Sequence, residues 1–305
     1  MIKNEVTVSV CMITYNHEPY IKQAIEGVLM QKCKFQIELV IGEDCSTDNT
    51  RKICEDYTPK YPQIKLLLTE SNLGVMSNFI RTLQNCTGKY IALCEGDDYW
   101  IDPYKLQKQV DFLEGNTEFS MCFHNSLVVY ESSRKKPHLF TTIDKNEYDI
   151  QDIIQKSWFI STASIVFRTD LYDKTEWINY VAGGDIALQY ILATKGKIGA
   201  INEVMAVYRK HNTSLSTNLK VGFSYLKITE TLSFFNYYTN FKYNSMIQNK
   251  ILKIRENLYL RFLSELPLWN KIINPDFLKI KLKKLQLKIT KYYFYITHEN
   301  SKHNK

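Results

Sequence analysis

Hydrophobic residues follow two alternating patterns over the first hundred positions. Short runs of β-branched and other apolar residues predict strands, and stretches with apolar residues three or four positions apart predict helices. The predicted strands are 6–15, 37–44, 64–70 and 89–96, and the helices between them are 18–31, 47–61 and 74–86. Strands that alternate with helices of this length favour right-handed crossovers and a mainly parallel α/β sheet flanked by helices.

The pattern becomes less regular after residue 119. Apolar runs predict strands at 120–131 and 161–172, and a glycine pair introduces an amphipathic helix within 183–197. From residue 218 the pattern changes to long helical segments rich in Tyr, Phe, Leu and Lys. The sequence therefore predicts an α/β domain at 1–217 and a helical C-terminal extension at 218–305.

Segment 274–296 of this extension predicts an amphipathic helix with Asn274, Pro275 and Asp276 at its start. Apolar residues recur at three- and four-residue steps, and lysines run beside them. Such a helix can bind anionic lipid, or its apolar stripe can pack on the α/β domain or on a second copy of the chain. Peripheral membrane contact and a homodimer through the C-terminal helices are therefore both open.

Composition narrows the class of protein only in part. The chain has 305 residues, 45% of them hydrophobic and 23% charged, as in ordinary soluble proteins. Its net charge of +7 is mild, and we expect no nucleic acid partner. The first residues are typical of a strand rather than a signal peptide, and the seven cysteines include no C-x-x-C pair. We expect a cytoplasmic protein, and contact with the inner face of the membrane stays open with the alternatives for the C-terminal helix.

Polar residues follow three of the predicted strands, at "TYNHE" (14–18), "EDCSTDNT" (43–50) and "CEGDDYW" (94–100). The carboxyl ends of parallel strands meet at one edge of a sheet, which is where α/β proteins bind ligands. Carboxylates there can hold a divalent cation, bind ribose hydroxyls or cap the next turn. No G-x-G-x-x-G or G-x-x-x-x-G-K-[ST] motif occurs. The pattern favours a nucleoside diphosphate site in which carboxylates and substrate phosphates share Mg²⁺ or Mn²⁺.

Four segments together resemble a known family: "VSVCMITYNHEPYIKQAIEGVLMQ", "VIGEDCSTDNT", "ESNLGVMSNFIRTLQNCTGKYIALCEGDDYW" and the later "GGD". In order and spacing they are similar to the inverting glycosyltransferases of family 2, of the type that builds capsules and surface polysaccharides. The resemblance implies the Rossmann-like GT-A fold. It also implies transfer of a hexose from a nucleotide-diphosphate donor, most often UDP-linked, to a growing surface polysaccharide or lipid-linked glycan.

The same resemblance implies roles for individual residues. The donor would contact Thr14, Tyr15, Asn16, Glu18, Asp44, Asn72 and Asp97, with Tyr15 against the base, Asp44 at the base edge and Asp97 at the ribose. Asp98 in the D-x-D segment and His211 would hold Mn²⁺ or Mg²⁺. Asp185 would be the general base, and Trp100 would border the acceptor. Glu95 and the Gly42-Glu43 pair depart from the family pattern.

Each of these roles has a plainer alternative. Asp185 can cap the helix that follows it, His211 can be a surface histidine, and Trp100 can pack in the core. Two other functions also stay open for the whole chain. One is a non-catalytic nucleotide-sugar-binding assembly protein, and the other is a sugar nucleotidyltransferase, which normally needs a glycine-rich basic loop.

Overall fold

The computed structural model describes residues 7–131, 133–156, 158–172, 181, 183–212 and 221–265. The strands are β1 Val8–Thr14, β2 Ile37–Glu43, β3 Ile64–Leu67, β4 Tyr90–Leu93, β5 Tyr99–Trp100, β6 Phe119–Tyr130, β7 His138–Leu139, β8 Glu147–Tyr148, β9 Val166–Arg168 and β10 Lys197–Lys210. The helices are α1 Ile21–Leu29, α2 Thr50–Tyr57, α3 Val75–Gln84, α4 Lys105–Gly115, α5 Ile150–Lys156, α6 Gly184–Lys195, α7 Val221–Tyr238 and α8 Asn244–Glu265.

The described strands form one sheet in the order β3-β2-β1-β4-β9-β6-β10-β5, with β7 paired to β6 and β8 to β10. Strands β1 to β4 pair in parallel, as the alternation of strands and helices predicts. Strands β6 and β10 also pair in parallel, whereas β9 joins the two parallel groups with antiparallel pairing on both sides. The sheet is therefore mixed but carries its parallel strands as expected.

The core follows from the two hydrophobic periods. Alternate residues Val8, Val10 and Met12 of β1 are fully buried, as expected for one face of a strand. Helix α1 buries Ile21, Ala24, Ile25 and Val28, which recur at helical spacing and pack in the same cluster. Burial of these apolar faces against each other removes them from water and holds the helix on the sheet.

The region after residue 119 differs in two ways from the prediction. The strand predicted at 161–172 extends only over Val166–Arg168, because a 3₁₀ turn lies on each side of it, at Thr162–Ser164 and at Thr169–Leu171. Strand β10 was not predicted, since the polar pair Asn202-Glu203 interrupts its apolar pattern. Its pairing with β6 shifts register between Ile201 and Val204, which accommodates that interruption.

The chain divides into two compact units, residues 1–251 and 252–305. In the first unit, Phe234 and Tyr238 of α7 pack against Ala187 and Ile191 of α6. The unit that contains the sheet thus includes α7, which the sequence assigned to the extension. In the second unit, the described residues are the end of α8, and the predicted helix at 274–296 lies outside the described part of the chain.

No helix within the described residues combines the length and the apolar character needed to cross a bilayer. All seven cysteines are free thiols, as their spacing predicts.

Candidate active site

The three acidic strand ends meet at one edge of the sheet. Thr14 at the end of β1 is the register partner of Glu43 at the end of β2, and Cys11 of β1 is the partner of Leu93 of β4. The loop after β4 stays close to β1, because Gly96 N–H donates to the Ile13 carbonyl over 2.9 Å. The sequence segments 14–18, 43–50 and 94–100 therefore meet at one edge of the sheet, as predicted.

The loop after β1 is tied to the loop after β2 by side chains. Asn16 has a φ of 53°, and its Oδ1 accepts from Thr47 N–H over 2.8 Å. The Glu18 carboxylate accepts from the backbone N–H of Asn49 over 3.1 Å and from its side-chain amide over 2.7 Å. These contacts give Asn16 and Glu18 a part in shaping the site.

Thr14 and Tyr15 of this loop were also predicted to contact the nucleotide-sugar donor, and they differ in solvent exposure. Thr14 is 2% exposed, and the residues described around its Oγ1 provide no hydrogen-bond partner. Tyr15 is 40% exposed. Tyr15 is therefore an exposed aromatic residue of this loop, and its position against a nucleobase stays a prediction.

Asp44 and Asn72 organise the loop before α3. Asp44 is 2% exposed, and its carboxylate oxygens accept from Leu73 N–H over 2.8 Å and from Gly74 N–H over 3.0 Å. Asn72 Oδ1 accepts from the same Gly74 N–H over 2.9 Å. In the structure these side chains accept from backbone amides and thereby position the loop before α3, and the base-edge contact of Asp44 stays a prediction.

Asp97 and Asp98 face different surroundings although they are neighbours in sequence. Asp98 is 1% exposed, and its Oδ1 accepts from Arg209 N–H over 2.8 Å. Asp97 Oδ2 lies 3.1 Å from Nε2 of His211 and 3.9 Å from Nε2 of His17. The structure therefore brings His211 together with Asp97, while the second oxygen of Asp98, Oδ2, is buried without a hydrogen-bond partner among the described residues. The assignment of Asp98 and His211 as metal ligands stays a prediction.

The charge state of the cluster follows from these surroundings. Burial raises the pKa of Asp97, but His17 and His211 oppose this effect and leave the pKa lowered. Burial, followed by the charge of Asp97, raises the pKa of both Glu95 and Asp98 well above their usual range. Burial and mutual repulsion thus oppose charge on Glu95 and Asp98, whereas the two histidines favour charge on Asp97.

Asp185 belongs to the same electrostatic cluster. Its charge contributes to the raised pKa of Glu95. Asp185 is the second residue of α6, and Gly183 is the N-cap, so Asp185 is not the capping residue of its helix. Its Oδ2 accepts from Thr162 Oγ1 over 3.1 Å. Burial raises the pKa of Asp185, while hydrogen bonds from Ile186 N–H and from Thr162 oppose the rise.

Arg209 is a site residue that the sequence alone does not distinguish from other basic residues. Its guanidinium lies 4.3 Å from the ring centroid of Tyr99 and 5.1 Å from that of Tyr20. Its Nε is 3.1 Å from Glu131, and its side chain also bonds Gln23. The sequence signal for the place of Arg209 in this cluster is its position two residues before His211. That signal is recognisable only once the structure is known.

Trp100 lies in the core, as its plainer alternative predicts, and its role beside the acceptor stays a prediction. The side chain is 1% exposed, and its Nε1 donates to the Ala163 carbonyl over 2.8 Å. Lys105 Nζ lies 4.0 Å from its ring centroid. The hydrogen bond from Trp100 thus holds the 3₁₀ turn Thr162–Ser164 in place, and Thr162 of that turn contacts Asp185.

Comparison with known proteins agrees with this geometry. The family model of glycosyl transferase family 2 matches residues 9–175, more than half of the chain. An uncharacterised protein of Mycobacterium tuberculosis strain H37Rv is 38% identical over 205 residues, which are 67% of this chain and 58% of that protein. A Bacillus subtilis protein named as a teichuronic acid biosynthesis glycosyltransferase, TuaG, is 30% identical over 213 residues, 69% of this chain and 82% of TuaG.

Among solved structures, Staphylococcus aureus TarS 1–349 in complex with UDP-GlcNAc superposes with a TM-score of 0.64, covering 87% of this chain and 78% of TarS at 18% identity. This likeness shows the fold, which is GT-A. The sheet, the acidic edge and the family match together define a GT-A protein of the glycosyltransferase class. The chain belongs to glycosyl transferase family 2. It spans about 58% of the length of its mycobacterial relatives.

Proposed function

We propose that the protein transfers a sugar, with inversion, from a nucleoside diphosphate donor to a glycan acceptor in surface-polysaccharide synthesis. The observation that carries the proposal is the placement of two acidic centres at one sheet edge. Asp97 is paired with His211, and Asp185 lies close enough to influence Glu95 in the same cluster. Family membership and the name of the TuaG relative support the reaction class and the acceptor class.

Uracil is the base of the donor nucleotide that has the most support. TarS, which shares the fold, was solved with UDP-GlcNAc. In this chain the exposed ring of Tyr15 stands at the end of β1, where an aromatic ring can stack on a nucleobase. Thr14, Asn16 and Glu18 shape the loop beneath that ring. The sugar itself is left to the donor screen described below.

Asp97 and His211 fit a Mn²⁺ or Mg²⁺ ion as its protein ligands. A carboxylate oxygen and an imidazole nitrogen already approach to 3.1 Å, and the described residues contain no cluster of three His, Cys, Asp or Glu side chains arranged for a metal. Such a two-ligand site is suited to an ion that takes its other ligands from substrate phosphates and water. When bound, the ion would neutralise charge on the departing diphosphate. Asp97 is the carboxylate ligand in this proposal, and Asp98, the ligand that the resemblance implies, is the alternative, because its buried Oδ2 has no hydrogen-bond partner among the described residues.

Asp185 acts as the general base in this proposal. The acceptor hydroxyl must lose a proton as it attacks the sugar carbon, and a carboxylate within hydrogen-bond reach can take it. Because burial raises the pKa of Asp185, its carboxylate is a stronger base than a solvated aspartate. Thr162 donates to Oδ2 and thereby orients the carboxylate. Single displacement from the face opposite the diphosphate inverts the configuration at the sugar carbon.

A donor screen tests the proposal directly. The full chain is heated with UDP-, dTDP- and GDP-sugars, each in Mn²⁺ and in EDTA, and the melting temperature is recorded. Binding of a ligand to the native state raises the melting temperature, so one nucleotide class should stabilise the protein in Mn²⁺ and less in EDTA. The stabilising donor is then incubated with the protein to detect release of the nucleoside diphosphate. Stabilisation without any release would favour a non-catalytic binding protein, and stabilisation by no donor would overturn the proposal.

A further inference from the structure

An aromatic cluster lies outside the acidic site, between α5 and the 3₁₀ turn that contacts Asp185. The Phe140 ring centroid is 5.7 Å from that of Trp158 and 5.2 Å from that of Tyr208, and both contacts are edge-on. Trp158 and Tyr208 are 6.4 Å apart, also edge-on. Trp158 is 41% exposed. The cluster therefore holds one indole ring at the surface on two supporting rings.

The backbone of Trp158 is strained. Its φ of 41° lies in the left-handed region, which is rare for a bulky residue. Such a conformation costs about 1–3 kcal/mol and persists only where the surroundings impose it, which is common at ligand sites. The strained backbone, rather than exposure alone, distinguishes Trp158 from the other apolar side chains at the surface. It points to a ring that is presented to a partner.

The cluster is connected to the catalytic carboxylate through short contacts. Phe140 N–H donates to the Ser126 carbonyl over 2.8 Å, and the Ser126 and Ser161 hydroxyls are 2.6 Å apart. Thr162, the next residue, donates to Asp185. Trp158 and Thr162 are four positions apart, so their Cα atoms are at most about 14 Å apart. A short oligosaccharide can span that distance.

A basic loop adjoins the same cluster. Arg134, Lys135 and Lys136 are consecutive and exposed, and no carboxylate among the described residues forms an ion pair with them. Lys135 Nζ lies 5.2 Å from the Tyr130 ring centroid at the end of β6. Phe140 follows Lys136 by four residues, a separation of at most about 14 Å. Three exposed cations, which form no ion pair with the described residues and precede Phe140 closely in sequence, create a positive potential that attracts anionic ligands.

We propose that the Trp158 cluster and the basic loop, residues 134–136, bind an acidic glycan and form the acceptor subsite of the transferase proposed above. The C–H groups on one face of a sugar ring carry partial positive charge and pack favourably on the negative face of the indole. Carboxylate or phosphate groups on the same chain then pair with the loop cations. The end of the glycan whose hydroxyl accepts the new sugar extends towards Asp185.

Binding is measured by calorimetry on the full-length protein, without donor or metal. The probes are oligogalacturonate, a phosphorylated malto-oligosaccharide and the neutral malto-oligosaccharide of the same length. We expect both acidic probes to bind more tightly than the neutral one, with an affinity that falls as salt is added. Trp158→Ala should weaken binding of the acidic probes about threefold to tenfold, whereas Trp158→Phe should retain most of it.

Matched controls separate the site from general surface effects. Tyr237→Ala removes a ring that is 73% exposed elsewhere and should not change the affinity. The triple change of residues 134–136 to Gln should remove the preference for acidic probes, and the control triple is Lys34→Gln, Lys52→Gln and Lys60→Gln. Equal effects of Trp158→Ala and Tyr237→Ala, or equal binding of neutral and acidic probes, would overturn the subsite.

The subsite rests on the proposed function, but experiments can refute either proposal without refuting the other. No donor is present in the glycan titration, so a chain that binds acidic glycan through Trp158 and yet turns over no donor retains the subsite and loses the transferase activity. A chain that turns over donor while Trp158→Ala leaves acidic-glycan affinity unchanged retains the activity and loses the subsite. Melting curves of each variant identify a loss of fold.

Discussion

Thr162 Oγ1 donates a hydrogen bond to Asp185 Oδ2 over 3.1 Å, and the two residues are 23 positions apart. The turn that carries Thr162 is itself held in place, because Trp100 Nε1 donates to the Ala163 carbonyl and Gln109 Nε2 donates to the Ser164 carbonyl, each over 2.8 Å. Buried residues on β5 and α4 thus position a hydroxyl against the proposed base. The packing of these core residues therefore determines where the Thr162 hydroxyl meets Asp185.

We expect Asp185→Asn to reduce sugar transfer by ~10²-fold or more while donor affinity is kept, since the amide preserves size but cannot accept the proton. Transfer is measured with saturating donor, and donor affinity by calorimetry. Asp170→Asn, which changes an exposed aspartate in the turn after β9, is the matched control. Near-normal transfer by Asp185→Asn would place the base elsewhere, and a lost fold would show that the residue is needed to start α6.

Thr162→Val should move the acid limb of the kcat profile to higher pH. Burial already raises the pKa of Asp185, and the Thr162 hydrogen bond lowers it, so loss of the hydroxyl raises the pKa further. A base works only when deprotonated, and a higher pKa therefore means that activity begins to fall at a higher pH as the solution is acidified. Thr162→Ser keeps the donor and should keep the profile. Coincident profiles for the Val and Ser variants would show that Thr162 does not tune Asp185.

Asp97→Asn should abolish the difference between donor affinity in Mn²⁺ and in EDTA, because Asp97 rather than Asp98 faces His211. Asp98→Asn should preserve that difference, since an amide oxygen can still accept from Arg209 N–H. Calorimetric titration of UDP into both variants measures the effect. If Asp98→Asn alone lost the metal dependence, the ligand would be Asp98 as the sequence resemblance implied.

Lys105 should make stability depend on pH. Its side chain is fully buried beside Trp100, and burial lowers its pKa to about 7. The unfolded chain holds this proton up to the ordinary lysine pKa of about 10.4, so between about pH 7 and pH 10 the unfolded state binds more protons than the native state. The free energy of unfolding should therefore rise with pH over this interval, by up to about 1.4 kcal/mol per pH unit.

The matched comparison is Lys105→Met, which keeps the length of the side chain and removes the titrating group. Urea unfolding at pH 7, 8 and 9 should show a smaller increase in stability for this variant than for the natural chain. Lys52→Met changes an exposed lysine and should leave the increase as it is. Identical pH dependence in all three proteins would mean that Lys105 is charged in the native state throughout.

The location of the site could be predicted from sequence because its signals are local. Each of the strands β1, β2 and β4 is a buried apolar run followed by polar residues, and parallel pairing brings those ends together. The helices α1 to α3 show apolar residues at helical spacing, so the layers were also predictable. Strands β5, β7 and β8 have two residues each and were not predicted. Their pairing depends on long-range contacts rather than on a repeating pattern.

The sequence by itself determined the fold class, the family and the edge of the sheet at which the acidic residues gather. The reason is that the spacing of hydrophobic residues and the order of the motifs can be identified without knowing which residues are in contact. Only the tertiary structure decided which groups each acidic side chain contacts. Asp97 and Asp98 are neighbours in sequence, yet one faces two histidines and the other is buried against the backbone of β10. The burial of Trp100 and the pairing of Thr162 with Asp185 likewise depend on side-chain direction and on contacts between distant segments, which no local pattern records.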